Sequence, residues 1–232
     1  MDILALFDGL DRCAPGDAVS VARASAGVAE DAAVLDAGCG RGADLPALMA
    51  VAPRGRIVAV DVAAPFVAHV QAAFPGVRAV CGDMASPPGG PFDLIWSGGA
   101  IYALGVTAAL RAWTGHLCPG GRVAFSDLVL RGDAPAPDVA AFFAAEGVAL
   151  RGEAALRAEV AAAGFRVIDA FWMPGAAWEA YYRPLETRLT AAAAASDAAD
   201  TRTLVEGFRQ EIDLWRRHGG DYGYLVVVAD RP

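Results

Sequence analysis

The chain contains no lysine, and all 19 of its basic residues are arginines. Together with 27 acidic residues they give a net charge of −8 and a pI of about 4.8. Nucleic-acid binding normally requires a basic patch, and the notable basic positions are Arg12, Arg23 and the run Arg216-Arg217-His218. That run is typical of the last turn of a helix, where the helix dipole favours cations. We therefore expect no nucleic-acid partner.

Cysteine and histidine are also scarce, and their positions exclude common kinds of site. The four cysteines, Cys13, Cys39, Cys81 and Cys118, show no Cys-x-x-Cys spacing, and the three histidines are scattered. This pattern predicts free thiols and no metal site.

Long hydrophobic runs are missing as well, although 56% of the residues are apolar. No segment approaches the roughly 18 uninterrupted apolar residues of a membrane span. The first residues, MDILALFD, lack the basic region of a signal peptide. We expect a cytoplasmic protein without a membrane partner, of a size that fits one α/β domain with an accessory segment.

The most informative segment is residues 34–42, VLDAGCGRG. An apolar run ends in an acid, three glycines follow at alternate positions, and a helical pattern starts at Leu45. Glycine is required where a Cβ would block a ligand or where φ is positive, and the following helix N-terminus offers unpaired N–H groups. The pattern predicts a strand–turn–helix unit that binds a nucleotide-like ligand.

Two ligand chemistries use such a turn. The Gly-x-Gly-x-x-Gly/Ala frame of dinucleotide enzymes can be imposed on Gly38–Ala43. The Asp-x-Gly-x-Gly-x-Gly pattern of S-adenosylmethionine (SAM) enzymes matches Asp36–Gly42 at every fixed position.

Four further apolar runs alternate with helix-like or turn-rich stretches, which predicts a mostly parallel sheet. These runs are Ile57–Val60, Val77–Cys81, Phe92–Trp96 and Arg122–Ser126. Ligands of such sheets bind beyond the carboxyl ends of the strands, so side chains at those ends can face one ligand.

Acidic residues occupy several of these ends. Asp61 is placed to accept both ribose hydroxyls, and Asp83 to accept from an adenine amino group. Met84 offers a backbone N–H and a soft side chain near the ring. Asp36 can orient the loop or meet the ammonium end of the ligand. Each aspartate taken alone could instead be a helix or turn cap.

These features resemble the class I SAM-dependent methyltransferases. The marks are residues 34–42, Asp61, the run VCGDM at 80–84, FDLIW at 92–96 and LCPGGRV at 117–123. Residues 95–105 and 221–225 further resemble a bacterial small-molecule group of the UbiE/type 11 kind. Members of that group often carry Glu where this chain has Gly98, which puts a shared substrate in doubt.

The resemblance implies a Rossmann-like sheet of seven strands in the order 3-2-1-4-5-7-6, with the last strand antiparallel and helices on both faces. It implies SAM as cofactor and methyl transfer to a small-molecule acceptor by direct in-line displacement. The cofactor-binding residues it indicates are Asp36, Gly38, Cys39, Gly40, Asp61, Val62, Asp83, Met84, Ser97 and Gly98.

The remaining segments predict a single domain over 1–232 with three accessory parts. Residues 1–31 form a helical cover over the cofactor. Residues 131–152 form a mobile lid, and 174–218 form a helical insertion that caps the acceptor. The same insertion could serve dimerisation, so a monomer and a homodimer both remain open.

Aromatic residues are the candidates for the acceptor site, although ordinary packing is an alternative for each. The predicted substrate pocket consists of Trp96, Tyr102, Phe142, Phe143, Trp178 and Tyr182. Tyr102, just beyond the fourth strand, is the first candidate for catalysis, and Glu146 on the lid is the second.

Two other functions are compatible with a glycine-rich nucleotide turn. A nicotinamide-dependent oxidoreductase normally needs a pair such as Tyr-x-x-x-Lys, which a chain without lysine cannot supply. A non-catalytic SAM-binding protein remains open.

Overall fold

A computed structural model describes residues 2–231 and contains one seven-stranded sheet. The strands are β1 (Ala33–Ala37), β2 (Arg56–Asp61), β3 (Arg78–Cys81), β4 (Phe92–Ser97), β5 (Leu117–Leu130), β6 (Arg166–Trp172) and β7 (Tyr222–Asp230). Their order is β3-β2-β1-β4-β5-β7-β6. Strands β1 to β5 pair in parallel, and β7 runs antiparallel to both β5 and β6. The predicted fold class and strand order are confirmed.

Helices connect and cover the strands. They are α1 (Ile3–Phe7), α2 (Ala18–Ala24), α3 (Leu45–Val51), α4 (Ala64–Ala73), α5 (Val106–Trp113), α6 (Pro137–Ala145), α7 (Glu153–Ala162), α8 (Gly175–Ala195) and α9 (Ala199–His218). A 3₁₀ turn, Ile101–Ala103, lies between β4 and α5. No helix within residues 2–231 is long and apolar enough to cross a membrane.

The two faces of the sheet bury separate apolar cores, because successive strand residues point to opposite sides. Val34 of β1 packs with α2, α3 and α4 on one face, whereas its neighbour Leu35 packs with α5 and α7 on the other. The side chains of Val34 and Leu35 are both fully buried. A parallel sheet covered on both sides explains why the strands are continuous apolar runs.

Strand β5 is longer than predicted: it extends over Leu117–Leu130 rather than 122–126. Beyond residue 126 the cause is its partner, since β5 pairs residue by residue with the antiparallel β7 as far as Leu130. The sequence pattern of β5 alone carried no information on this non-local pairing.

Helices α8 and α9 occupy the segment predicted as a cap. They are joined through an aromatic core in which the Trp178 and Trp215 rings stack with centroids 5.2 Å apart. At their surface Arg216 pairs with both Glu179 and Glu186. The cap function of this helix pair stays a prediction.

The segment 131–152, predicted as a mobile lid, carries the docked helix α6. Val139 and Phe143 are buried against Leu214 and Tyr222. Asp138 pairs with Arg217 of α9. The structure thus places this segment against α9 and β7, and its mobility stays a prediction.

Candidate cofactor site

A cavity of about 450 Å³ opens at the carboxyl ends of β1, β2 and β4. Its wall combines the glycine-rich turn, the ends of the strands and the N-terminal segment. It is lined by Phe7, Arg12, Cys13, Ala14, Asp36, Gly38, Cys39, Gly40, Arg41, Ala43, Asp44, Asp61, Val62, Phe66, Gly82, Asp83, Met84, Gly98, Gly99, Ala100, Tyr102, Ala103 and Leu104.

The glycine turn fits its sequence prediction. Gly38, Gly40 and Gly42 all have positive φ, at 79°, 51° and 84°, which glycine adopts without penalty. A Cβ on Gly38 would clash with Ala100, and one on Gly42 would lie 2.8 Å from Leu45. A Cβ on Gly40 would meet only Cys13, at 3.8 Å. Gly38 and Gly42 therefore serve packing, while Gly40 leaves open space toward the cavity.

Asp61 ties the glycine turn to the end of β2. Its Oδ2 accepts the Gly40 N–H at 2.8 Å, and its Oδ1 accepts the Ala63 N–H at 2.8 Å. Each carboxylate oxygen has a second acceptor position. Asp61 can thus hold the turn and still accept ligand hydroxyls.

Asp36 is a nearly isolated carboxyl at the end of β1. It is 2% exposed, and within residues 2–231 its Oδ2 has no hydrogen-bond partner. Burial raises its pKa well above the ordinary value, the Asp44 and Asp61 carboxylates raise it further, and Arg12 partly opposes them. Burial without a partner makes ionisation costly, so Asp36 favours its protonated form until a positive charge approaches.

Asp44 is a site residue that the sequence analysis missed. Its Oδ1 accepts from Arg12 Nη2 and its Oδ2 accepts from Trp96 Nε1, both at 2.9 Å. A Cβ on Gly98 would lie 2.6 Å from that Oδ2. Asp44 therefore occupies the space beside Gly98 and presents a carboxylate there. Its position at the start of α3 is typical of a helix cap, but its side chain makes no cap hydrogen bond.

The N-terminal segment forms part of the wall, and its role as a cover over the cofactor stays a prediction. Phe7, Arg12 and Cys13 line the cavity, and Asp8 pairs with Arg41 of the glycine turn. Burial raises the pKa of Cys13 to about 11. The Cys13 thiol therefore stays protonated and unreactive near neutral pH.

Most of the predicted cofactor-binding residues line this cavity. They are Asp36, Gly38, Cys39, Gly40, Asp61, Val62, Asp83, Met84 and Gly98. Met84 is fixed through its carbonyl, which accepts from Trp113 Nε1 at 2.7 Å. Asp83 is exposed, and its Oδ1 accepts the Ala85 N–H at 2.8 Å.

Ser97 is the exception: it does not line the cavity, and its role in cofactor binding stays a prediction. It is fully buried, and its hydroxyl donates to the Ala37 carbonyl at 2.9 Å. The side chain ties β4 to β1 behind the wall of the cavity rather than within it.

The predicted substrate pocket is not assembled as a unit. Tyr102 lies at the rim of the cavity and is 72% exposed. Trp96 is buried behind the wall and holds Asp44. Trp178 and Tyr182 are buried between α8 and α9. Trp96, Trp178 and Tyr182 are therefore positioned by packing within the protein.

The predicted lid residues also lie away from the cavity wall. Phe142 and Phe143 form an edge-to-face pair at 5.3 Å, and Phe143 packs against Tyr222. Glu146 is exposed where α6 ends. None of these three residues lines this cavity. The assignment of Phe142 and Phe143 to the substrate pocket, and of Glu146 to catalysis, therefore stays a prediction.

Comparisons with known proteins fit this geometry. Residues 34–121 match a family model described as a methyltransferase domain. A comparison with curated protein sequences finds no match. Among solved structures, a SAM-dependent methyltransferase from Geobacter sulfurreducens, in complex with S-adenosyl-L-homocysteine, superposes with a TM-score of 0.80 at 16% identity. The match covers 100% of this chain and 99% of that one.

Two further structures show the same fold. A SAM-dependent methyltransferase from Thiobacillus denitrificans, also with S-adenosyl-L-homocysteine, gives a TM-score of 0.77 at 17% identity and covers 100% of both chains. Geranyl diphosphate C-methyltransferase from Streptomyces coelicolor A3(2), with Mg²⁺, geranyl diphosphate and S-adenosyl-L-homocysteine, gives 0.63 at 16% identity. The match covers 93% of this chain and 76% of that one. Residues 34–121 thus match a methyltransferase-domain model, within a chain that has the same Rossmann-like fold as these SAM-dependent methyltransferases.

Proposed function

We propose that this protein transfers the methyl group of SAM to a small-molecule acceptor. The observation that carries the proposal is the convergence of three acidic side chains on the cavity beside the glycine turn: Asp36, Asp44 and Asp61. Negative charge on Asp44 and Asp61 attracts a ligand that carries a sulfonium and an ammonium group and repels the diphosphate of a dinucleotide. The two arginines of the wall, Arg12 and Arg41, are already paired with Asp44 and Asp8.

The residues fit SAM part by part. Asp61 would hold the ribose hydroxyls, Asp83 the adenine amino group, and Asp36 and Asp44 the positive charge. Gly40 leaves room for the ligand, and Met84 lies beside the turn, where its sulfur would be 3.3 Å from a Cβ on Gly38. Arrival of a cation favours the ionised form of Asp36, so binding is expected to release a proton.

When bound, SAM supplies an activated methyl group: the acceptor lone pair forms the new bond to carbon as the C–S pair returns to sulfur, giving S-adenosylhomocysteine. The protein aligns the acceptor and excludes water. The N-terminal segment covers the cavity through Phe7 and Cys13, and Tyr102 stands at the rim as positioning residue. This chemistry needs no nucleophilic side chain.

The acceptor is proposed to be a small molecule. The acidic net charge of −8 disfavours nucleic acid, and residues 95–105 resemble the UbiE/type 11 group. One structural neighbour is a geranyl diphosphate C-methyltransferase. We further propose that 1–232 acts as one domain in the cytoplasm, with the 174–218 helices capping the acceptor.

Calorimetry with SAM, S-adenosylhomocysteine and NADPH tests the cofactor, and Gly40→Val is the matched variant that fills the open space. We expect the wild type to bind the first two ligands and the variant to bind neither. Binding of NADPH alone would overturn the proposal. Incubation with methyl-labelled SAM and a metabolite pool then tests turnover, and SAM binding without any labelled product would indicate a non-catalytic SAM-binding protein.

A further inference from the structure

Arg12 belongs to the wall of the cofactor cavity and has hydrogen-bond donors to spare. A guanidinium group carries five N–H donors. Nη2 of Arg12 donates to Asp44 Oδ1 at 2.9 Å, and within residues 2–231 its Nε and Nη1 make no hydrogen bond. The side chain is only 17% exposed, so these donors are partly shielded from water. Arg12 can therefore receive an anionic group while it keeps Asp44.

Arg41, the other cation of the cavity wall, is occupied at both ends of its guanidinium group. Its Nη1 donates to Asp8 Oδ1 at 3.1 Å, and its Nη2 lies 3.4 Å from His69 Nδ1. Of the two arginines, Arg12 is thus the one with a whole Nη group unengaged in the described part of the chain. An anionic part of a ligand in this cavity would meet Arg12 first.

A glycine makes the space in which the Arg12 guanidinium lies. A Cβ on Gly16 would overlap Arg12 Nη1. The φ of Gly16 is not positive, so its backbone could accept an alanine. The missing side chain at position 16 therefore serves the placement of Arg12 rather than the conformation of the chain.

Two acidic side chains line the same cavity as Arg12. Asp44 shares an ion pair with it, and Asp36 is 2% exposed with no partner for its Oδ2 within residues 2–231. Burial raises the pKa of Asp36, and Arg12 partly opposes this rise. This end of the cavity therefore offers groups of both charges.

The backbone around Arg12 crosses the cavity between two fixed points. At one side, α1 is attached to α8 by Arg188, whose Nη2 donates to the Ala5 carbonyl at 3.0 Å. At the other side, α2 begins at its N-cap, Asp17. Residues 8–17 lie between these points and contain no helix or strand. We call them the 8–17 segment, and Arg12 is the cation that it contributes to the wall.

An α-amino acid group matches this pairing of charges. SAM ends in such a group, with one ammonium and one carboxylate. A guanidinium group binds a carboxylate through two parallel N–H donors, and an ammonium group beside the acids gives them an opposite charge. A partly buried charge is costly unless it is paired. A ligand with the ammonium alone would leave the free donors of Arg12 unused.

We propose that Arg12 binds the α-carboxylate of SAM while Asp36 and Asp44 face its ammonium group, and that this contact closes the 8–17 segment on the ligand. Arg12 then selects ligands with a complete amino-acid end. The inference rests on the proposed function, since it takes SAM as the ligand.

The first test compares S-adenosylhomocysteine with its decarboxylated analogue, which ends in an aminopropyl group, by calorimetry on the full chain. The analogue keeps the adenosine, the sulfur and the ammonium group and lacks only the carboxylate. We expect S-adenosylhomocysteine to bind at least about tenfold more tightly to the wild type, and Arg12→Met to bring this ratio near one. Arg166→Met is the control, because Arg166 pairs with Asp230 at 2.8 Å but does not line the cavity; it should keep the wild-type ratio.

The second test measures closure with trypsin, which cleaves after arginine. The bond after Arg12 lies in the 8–17 segment. S-adenosylhomocysteine should slow cleavage there at least about fivefold in the wild type, and the decarboxylated analogue should slow it much less. Cleavage after Arg131, which is exposed where β5 ends, should be the same with both ligands. Equal protection of the Arg12 site by both ligands would contradict closure through the carboxylate.

Equal wild-type affinities for the two ligands, or an unchanged ratio in Arg12→Met, would overturn the assignment of Arg12. Gly16→Ala serves if the methionine variant does not fold, because its Cβ displaces the guanidinium group and should lower the ratio. NADPH is measured on the same samples. Binding of NADPH without S-adenosylhomocysteine contradicts the proposed function, whereas binding of S-adenosylhomocysteine without a preference over the analogue contradicts only the role of Arg12.

Discussion

Asp44 and Trp96 meet behind Gly98, where the indole Nε1 donates to Asp44 Oδ2 over 2.9 Å. The carboxylate cannot easily move, since Arg12 holds its other oxygen at the same distance. Because Gly98 has no side chain, it leaves the space that the Asp44 carboxylate occupies. Asp44 thus presents its carboxylate in the space beside position 98.

This arrangement predicts a dependence between positions 44 and 98. A Cβ on Gly98 would lie 2.6 Å from Asp44 Oδ2 and 3.0 Å from Trp96 Nε1, so Gly98→Ala should cost about 1–3 kcal/mol of unfolding free energy through overpacking. In an Asp44→Ala background most of that cost should vanish. Urea unfolding of both single variants and the double variant measures it.

Gly115→Ala is the control, because a Cβ there meets nothing within 4 Å in the described structure. Strict additivity of the two substitutions, within about 0.5 kcal/mol, would contradict the coupling of Asp44 and Gly98.

Asp61→Asn should weaken SAM binding at least tenfold. Asn keeps the shape but loses the charge, and a charge-assisted hydrogen bond contributes about 1.5–3 kcal/mol. Asp93→Asn is the matched control: Asp93 Oδ2 accepts the Ala33 N–H at 2.7 Å, at the start of β1 and away from the cavity. Calorimetry should show near wild-type SAM affinity for the control, and unchanged affinity in Asp61→Asn would remove Asp61 from the ribose site.

The sheet and the glycine turn could be predicted because their signals are local. The period of apolar runs gives parallel strands, and the carboxyl ends of such strands converge whatever the rest of the chain does. Asp61 and Gly40 could therefore be placed together although 21 residues separate them.

The acceptor side could not be predicted in the same way, because its residues come from distant elements. Trp178 and Tyr182 carry no local sign that they pack between two helices rather than line a pocket. Glu211 stands among polar residues typical of a solvated helix face, and its bond from the Tyr182 hydroxyl of α8 forms only in the folded chain. Asp44 was indistinguishable from a helix cap for the same reason.

Asp36 should make the stability of the ligand-free protein fall as pH rises. Its pKa is raised in the folded state, mainly by burial, so above about pH 4 the unfolded chain loses a proton that the folded chain keeps. The loss of stability grows with pH until Asp36 ionises in the folded state. Asp36→Asn cannot ionise, and its urea midpoint should fall less between pH 4.5 and 8.

Glu211 contributes a loss of the same sign, since burial raises its pKa as well, so a residual slope should remain in Asp36→Asn. Parallel pH profiles for wild type and variant would show that Asp36 is ionised in the folded protein throughout this range.

Tyr102→Phe should slow methyl transfer about tenfold and leave SAM affinity within about twofold. Tyr102 is 72% exposed at the rim, so its hydroxyl is available as a hydrogen-bond donor to an acceptor molecule, and loss of one neutral hydrogen bond costs about 1 kcal/mol. Single-turnover rates and calorimetry separate the two effects. Tyr102→Ala, which also loses the ring, should be slower than the Phe variant. A loss beyond about 10⁴-fold in Tyr102→Phe would instead indicate essential proton transfer, and no loss would leave Tyr102 as an exposed rim residue without a role in positioning.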